Sequence, residues 1–136
     1  MDHAAAIRRI YELINAGDID GFGGLLADDF VEHEALPGFP PDRGGVVAFF
    51  KTLRAGFPDM RMNPDDVLVD GDKAVARATT TGTHQGEFMG IPATGRHASW
   101  VAFGINRYVD GKMKEHWGLP DVAGIMRQLG PDQGAH

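Results

Sequence analysis

Apolar positions along the first half of the chain recur at helical spacing. From Asp2 onward, Ile7, Ile10, Tyr11 and Ile14 fall at i, i+3, i+4 and i+7, one apolar stripe on a helix that Gly17 can close. Residues 18–30, DIDGFGGLLADDF, predict a second helix with Asp18 as N-cap and Ile19, Phe22, Leu25 and Leu26 on its buried face. Its three glycines weaken it, since each costs about 1 kcal/mol in a helix interior. Residues 34–45, EALPGFPPDRGG, predict a loop. A third helix follows, with Val46, Phe49, Phe50 and Leu53 on one side, and GFPD at 56–59 stops it.

The second half changes period. DVLVDGDKAVARATTTGT holds two strand-like runs joined by Asp70-Gly71-Asp72, and RHASWVAFGINRYVDGKMKEHW repeats the device at Asp110-Gly111. Between these hairpins, residues 84–95 (HQGEFMGIPATG) are glycine-rich and predict a long loop. The tail PDVAGIMRQLG predicts a short amphipathic helix carrying Val122, Ile125, Met126 and Leu129. Helices first and an antiparallel meander afterwards make an α+β fold. A curved sheet with helices across its concave side would enclose a pocket. No linker, repeat or low-complexity segment interrupts residues 1–136, so one domain is expected.

Composition narrows the function. The net charge is −6 and the thirteen Lys and Arg are scattered, which argues against a nucleic-acid partner. With no cysteine there is no disulfide framework, thiolate nucleophile or cysteine-based metal site, and a cytoplasmic setting fits. The longest apolar run, VVAFF at 46–50, cannot span a bilayer, and MDHAAAIRRI lacks the order of a secretory signal, so no membrane association is expected.

Candidate chemistry rests on six histidines and one aspartate. His3 and His136 lie at the termini and are expected to be solvated. No H-x-H or H-x-x-x-H pairing supports a metal site; EHE (32–34) and HQGE (84–87) come nearest. His116, on the last strand, faces opposite to Glu115 and Trp117 if the strand is regular. It is either a satisfied histidine or a proton-transfer group beside an acid. His33 and His84 each flank a flexible loop and carry the same two readings. Asp121, next to Pro120, suits the N-cap of the last helix. Its neighbours Trp117, Leu119, Val122 and Ile125 would equally desolvate it and raise its pKa for acid/base work. A lone Ser99 outside any G-x-S-x-G motif and the absence of phosphate-binding glycine loops remove serine hydrolases and the common nucleotide folds. Acid/base catalysis by Asp and His in an apolar cavity survives.

Four segments, DDFVEHE (28–34), FPDM (57–60), GTHQGEFMGIPATGR (82–96) and EHWGLPD (115–121), resemble in order and spacing the SnoaL-like polyketide cyclases, a group within the nuclear-transport-factor-2-like folds. The resemblance runs from about Ile7 to Gly130. It implies a cone-shaped α+β barrel, a bent antiparallel sheet against three long helices around a deep apolar pocket, paired through its sheets as a homodimer or homotetramer. It also implies a cofactor-free and metal-free intramolecular aldol condensation that closes a ring of a polyketide ester. The acid/base carboxylate maps onto Asp121 and the histidine pair onto His116 and His33. Phe50, Phe57, Met89, Trp100 and Trp117, with His84, would wall a flat aromatic substrate. Fold does not determine reaction. An epoxide hydrolase or dehydratase, or a non-catalytic module that holds an apolar small molecule, therefore stands beside the cyclase.

Overall fold

The computed structural model describes residues 2–130. Helix α1 (His3–Ala16) begins where the Asp2 carboxylate accepts the Ala5 N–H at 3.0 Å and ends at Gly17, whose φ of 81° few other residues could adopt. It buries Ile7, Ile10, Leu13 and Ile14. The second helix is far shorter than residues 18–30. Asp18 caps α2 (Ile19–Gly23) through the Gly21 N–H, and the chain then enters a strand, β1 (Leu26–Glu32). Gly23 and Gly24 end the helix, and Leu26 and Phe30 drop into the core while Asp28 and Asp29 face solvent. Pairing with a strand 84 to 87 residues later decides the conformation of this segment, and no local period reports that.

Helix α3 (Arg43–Gly56) starts two residues before the end of the expected loop, because Asp42 accepts the Gly45 N–H at 2.8 Å. Gly45 has no room for a side chain: a Cβ there would lie 1.8 Å from the Pro40 carbonyl oxygen, so the preceding loop is pressed onto the helix. Strands β2 (Arg61–Asp70), β3 (Lys73–Thr83), β4 (His97–Val109) and β5 (Lys112–Pro120) form the expected meander, and α4 (Val122–Leu129) follows. At the second hairpin Asp110 and Gly111 take φ of 50° and 80°, the paired left-handed conformations that suit a two-residue turn between twisted strands. The curved five-stranded sheet runs β1-β5-β4-β3-β2, with β1 parallel to β5 and every other pair antiparallel.

Side-chain size on the inner face explains why this sheet encloses space. Ala74, Ala76 and Ala78 of β3, Ala98, Ala102 and Gly104 of β4, and Gly118 of β5 point toward the helices. Small residues in these rows keep the isoleucines of α1 and the phenylalanines of α3 from meeting the sheet everywhere. The opposite face carries Lys73, Arg77, Phe103, Ile105, Glu115, Trp117 and Leu119.

His3 departs from the solvated role expected of it. Its ring stacks on Tyr108 at 5.0 Å and its Nδ1 bonds the Gly71 carbonyl at 3.0 Å. His136 lies outside the described residues. Among the described residues no helix is long and apolar enough to cross a membrane.

Candidate active site

A cavity of about 170 Å³ lies between the inner face of the sheet and helices α1, α3 and α4. Ile10 and Ile14 of α1, Phe50 and Leu53 of α3, Trp100 of β4 and Ile125 of α4 contribute to an almost wholly apolar wall. The volume falls below the roughly 300 Å³ at which drug-sized pockets begin, so a substrate of more than two or three fused rings projects past the rim. That rim includes the segment from Glu34 to Pro40 and Met89. Phe39 packs edge-on against Phe49 at 5.4 Å and holds this segment to α3. Met89 sits at the tip of a tight turn with φ 50° and is half in solvent.

One polar row crosses the wall. Register pairs Glu32 of β1 with His116 of β5, and His116 with Asn106 of β4. All three line the cavity. His116 Nδ1 lies 2.6 Å from Glu32 Oε1 and 2.9 Å from Oε2, which fixes the ring and directs Nδ1 to the carboxylate. Nε2 has no hydrogen-bond partner among the described residues and remains available. The imidazole is seated on glycine. A Cβ on Gly118 would come within 2.3 Å of its Cε1, and one on Gly104 within 2.7 Å of its Nε2. Asn106 donates to the Ala74 carbonyl at 3.2 Å. Tyr11 joins the wall from α1, and burial pushes its phenol up to about 12, so it stays a protonated donor at neutral pH.

The other candidates separate into three groups. Trp100, Phe50 and Met89 line the cavity with His116. Phe57 and His84 are buried behind it. They stack on each other at 5.4 Å, and Phe57 meets Trp100 edge-on at 5.2 Å, supporting the wall from outside. His84 fastens the 84–96 loop: its Nδ1 accepts the Thr94 N–H at 3.2 Å and its backbone N–H donates to the Arg96 carbonyl. His33 and Trp117 lie on the far side of the sheet, because the pleat that turns His116 inward turns Trp117 outward. There the two rings stack at 4.5 Å, and His33 Nε2 bonds Glu115 at 3.0 Å. The Arg107 guanidinium, and then His33, hold the Glu115 carboxyl below the usual carboxylate range.

Asp121 is the N-cap of α4. Its Oδ1 accepts the Gly124 N–H at 2.8 Å, its own N–H donates to the Val101 carbonyl, and the residue is exposed. Pro120 and Val122 on either side line the cavity; Asp121 is not among the wall residues. Of the apolar neighbours named for it, Val122 and Ile125 line the cavity while Trp117 and Leu119 lie on the outer face of β5. Glu32, Tyr11 and Asn106 were not among the site residues expected from the sequence, where Tyr11 counted only toward the apolar stripe of the first helix. The signal for Glu32 was the EHE triplet, which on a strand sends Glu32 and His33 to opposite faces.

The model of the SnoaL-like polyketide cyclase family matches residues 4–129. Aklanonic acid methyl ester cyclase DauD of Streptomyces sp. (strain C5) is 31% identical over 127 residues, covering 91% of this chain and 79% of that protein. Among solved structures, IdmH of Streptomyces antibioticus, named as a candidate polyketide cyclase, superposes with a TM-score of 0.83 at 34% identity, over 96% of this chain and 100% of that one. AclR of Streptomyces galilaeus, named as a candidate hydroxylase, gives 0.82 at 28% identity over 93% of each chain. A near-complete family match, a cyclase relative at this identity and a shared sheet-and-cavity architecture lead to one conclusion: the chain belongs to the SnoaL-like polyketide cyclases.

Proposed function

We propose that this enzyme of the polyketide-cyclase type closes a ring in an aromatic polyketide ester by intramolecular aldol addition, with His116 as the proton-transfer group and Glu32 as its positioning partner. One observation carries the reading: a histidine whose Nδ1 is bonded to a carboxylate, on the wall of an otherwise apolar cavity. The curated relatives named as aklanonic acid methyl ester cyclases supply the substrate class.

The chemistry balances without an added reagent. With Nδ1–H donated to Glu32, the Nε2 lone pair takes a proton from the carbon next to the ester carbonyl. The electron pair moves into an enolate that the aromatic system delocalises, so the reaction needs no cofactor or metal. The enolate carbon then attacks a ketone carbonyl of the same molecule, forming one carbon–carbon bond and an alkoxide. The Nε2 proton returns to that oxygen. Glu32 stabilises the transient imidazolium, and the protonated phenol of Tyr11 can donate to the negative oxygen. The cavity wall holds the chain folded so that the two carbons meet. Trp100, Phe50 and Met89 bracket the rings. Asp121 is assigned to the helix rather than to the proton.

The partner we propose for the outer face is a second copy of the chain. Phe103 and Leu119 are cross-strand neighbours there, 57% and 67% exposed, and Ile105 and Trp117 extend the patch along the same two strands. Apolar groups on a sheet face of this extent are stabilised by burial.

The test is to incubate the enzyme with an aromatic polyketide methyl ester in water labelled with heavy oxygen and weigh the product. Aldol closure leaves the mass unchanged and incorporates no solvent oxygen. A product heavier by one water carrying the label identifies a hydrolase, one lighter by a water a dehydratase, and binding without turnover a carrier.

A further inference from the structure

A second polar position on the cavity wall is unexplained by the proton-transfer row. Thr80 of β3 is 1% exposed and lines the cavity, yet its Oγ1 finds no hydrogen-bond partner among the described residues. Its cross-strand neighbours are Met62 of β2 and Trp100 of β4, neither of which can satisfy it well. The other inward positions of β3 are Ala74, Ala76, Ala78 and Gly82, so this is the single hydroxyl in an otherwise apolar series. Valine has the same shape and would leave nothing unpaired. A buried hydroxyl without a partner costs the fold more than its absence would. Such a group in a cavity wall is expected where something that enters the cavity completes it.

The position is separate from the reacting end. Thr80 is level with Trp100 along β4, while the His116 ring lies against Gly104 and Gly118, four residues further and about 13 Å along the strand. We propose that Thr80 is an oxygen-recognition subsite: its hydroxyl bonds a phenolic hydroxyl or carbonyl oxygen on the ring of the substrate remote from the carbon that loses its proton. This inference rests on the cavity being the substrate site. It adds what the His116–Glu32 pair does not provide, a means of choosing which end of a flat molecule enters first. Discrimination by a buried polar group exceeds discrimination by shape, because the wrong ligand leaves the group unpaired.

The experiment compares 2-naphthol with 2-methylnaphthalene, which match in size and differ in the oxygen, by calorimetric titration of the wild type and Thr80→Val. In the wild type 2-naphthol binds more tightly. In Thr80→Val that preference falls by about three- to tenfold, the worth of one neutral hydrogen bond, while affinity for 2-methylnaphthalene is unchanged or improved. The thermal midpoint of the ligand-free variant stays level or rises, and Thr80→Ser restores the preference. An unchanged preference overturns the subsite and leaves the cavity reading intact. A lowered midpoint with unchanged preference also overturns it, since the hydroxyl would then serve the fold. If neither compound binds the wild type, the cavity is not the aromatic site, and the inference falls with that reading.

Discussion

His116 Nδ1 lies 2.6 Å from Glu32 Oε1, across a pair of parallel strands whose residues are 84 positions apart in the chain. The carboxylate holds one pole of the imidazole and leaves the other for chemistry. Two glycines under the ring, Gly104 and Gly118, make that placement sterically possible.

Gly118→Ala is therefore expected to disable the enzyme without unfolding it. The new Cβ would stand 2.3 Å from Cε1 of His116 and 2.7 Å from Nε2, so the ring must move. A displacement of about 1 Å at a reacting group can cost on the order of a hundredfold in rate. Steady-state kinetics should show kcat reduced by one to two orders of magnitude with KM little changed. A fully active variant would mean that the ring position is not important.

Asp121→Asn and Glu32→Gln distinguish the helix cap from the proton-transfer partner. Asparagine caps helices about as well as aspartate, so Asp121→Asn should fold normally and keep turnover within threefold or so. Asp121→Ala should lose about 1 kcal/mol of stability and likewise stay active. Glu32→Gln should reduce kcat by at least about tenfold. Loss of turnover in Asp121→Asn with Glu32→Gln active would transfer the base to Asp121.

Stability should form a plateau in pH. Glu115 is held below its ordinary value of 4.5, first by Arg107, and Asp59 below 3.8 by its hydrogen bonds to Thr83. For these groups the folded state binds protons less readily than the unfolded one. Their contribution is present above the unfolded values and is lost as pH falls below about 4.5. Tyr11 has the opposite sign. Its folded value of about 12 exceeds the ordinary 10.0, so its contribution is complete below pH 10 and disappears between 10 and 12. Thermal midpoints recorded across the range should fall at both ends, and Tyr11→Phe should flatten the alkaline fall.

Leu119→Lys should dissociate the enzyme. Placed beside Phe103 on the outer face, the ammonium would have to be buried in any sheet-to-sheet pair. Light scattering should give the mass of one chain for the variant and a multiple of it for the wild type. A wild-type monomer would rule out the outer face as a self-association surface.

Much of this was legible from local pattern. The stripe of Ile7, Ile10 and Ile14, the terminators Gly17 and Asp110-Gly111, and the antiparallel meander all follow from nearest-neighbour geometry. Residues 26–32 were not legible, because their strand exists through its pairing with β5 at the other end of the chain. That one omission hid Glu32. Alternation on β5 separates His116 from Trp117 in the sequence itself, but which of the two faces the helices depends on the sheet's curvature and on the register shift between Arg107 and Tyr108. Asp121 follows the same logic: its cap role was readable from Pro120 and the helical tail, whereas only the folded chain shows that Pro120 and Val122 line the cavity and Asp121 does not.

The most direct test of the account is the turnover of His116→Gln on an aromatic polyketide methyl ester. Glutamine can still bond Glu32 but cannot carry the proton, so kcat should fall by about 10²–10⁴ while binding of the ester stays within a few-fold. A kcat within tenfold of the wild type would contradict it and place the acid/base chemistry elsewhere on the cavity wall.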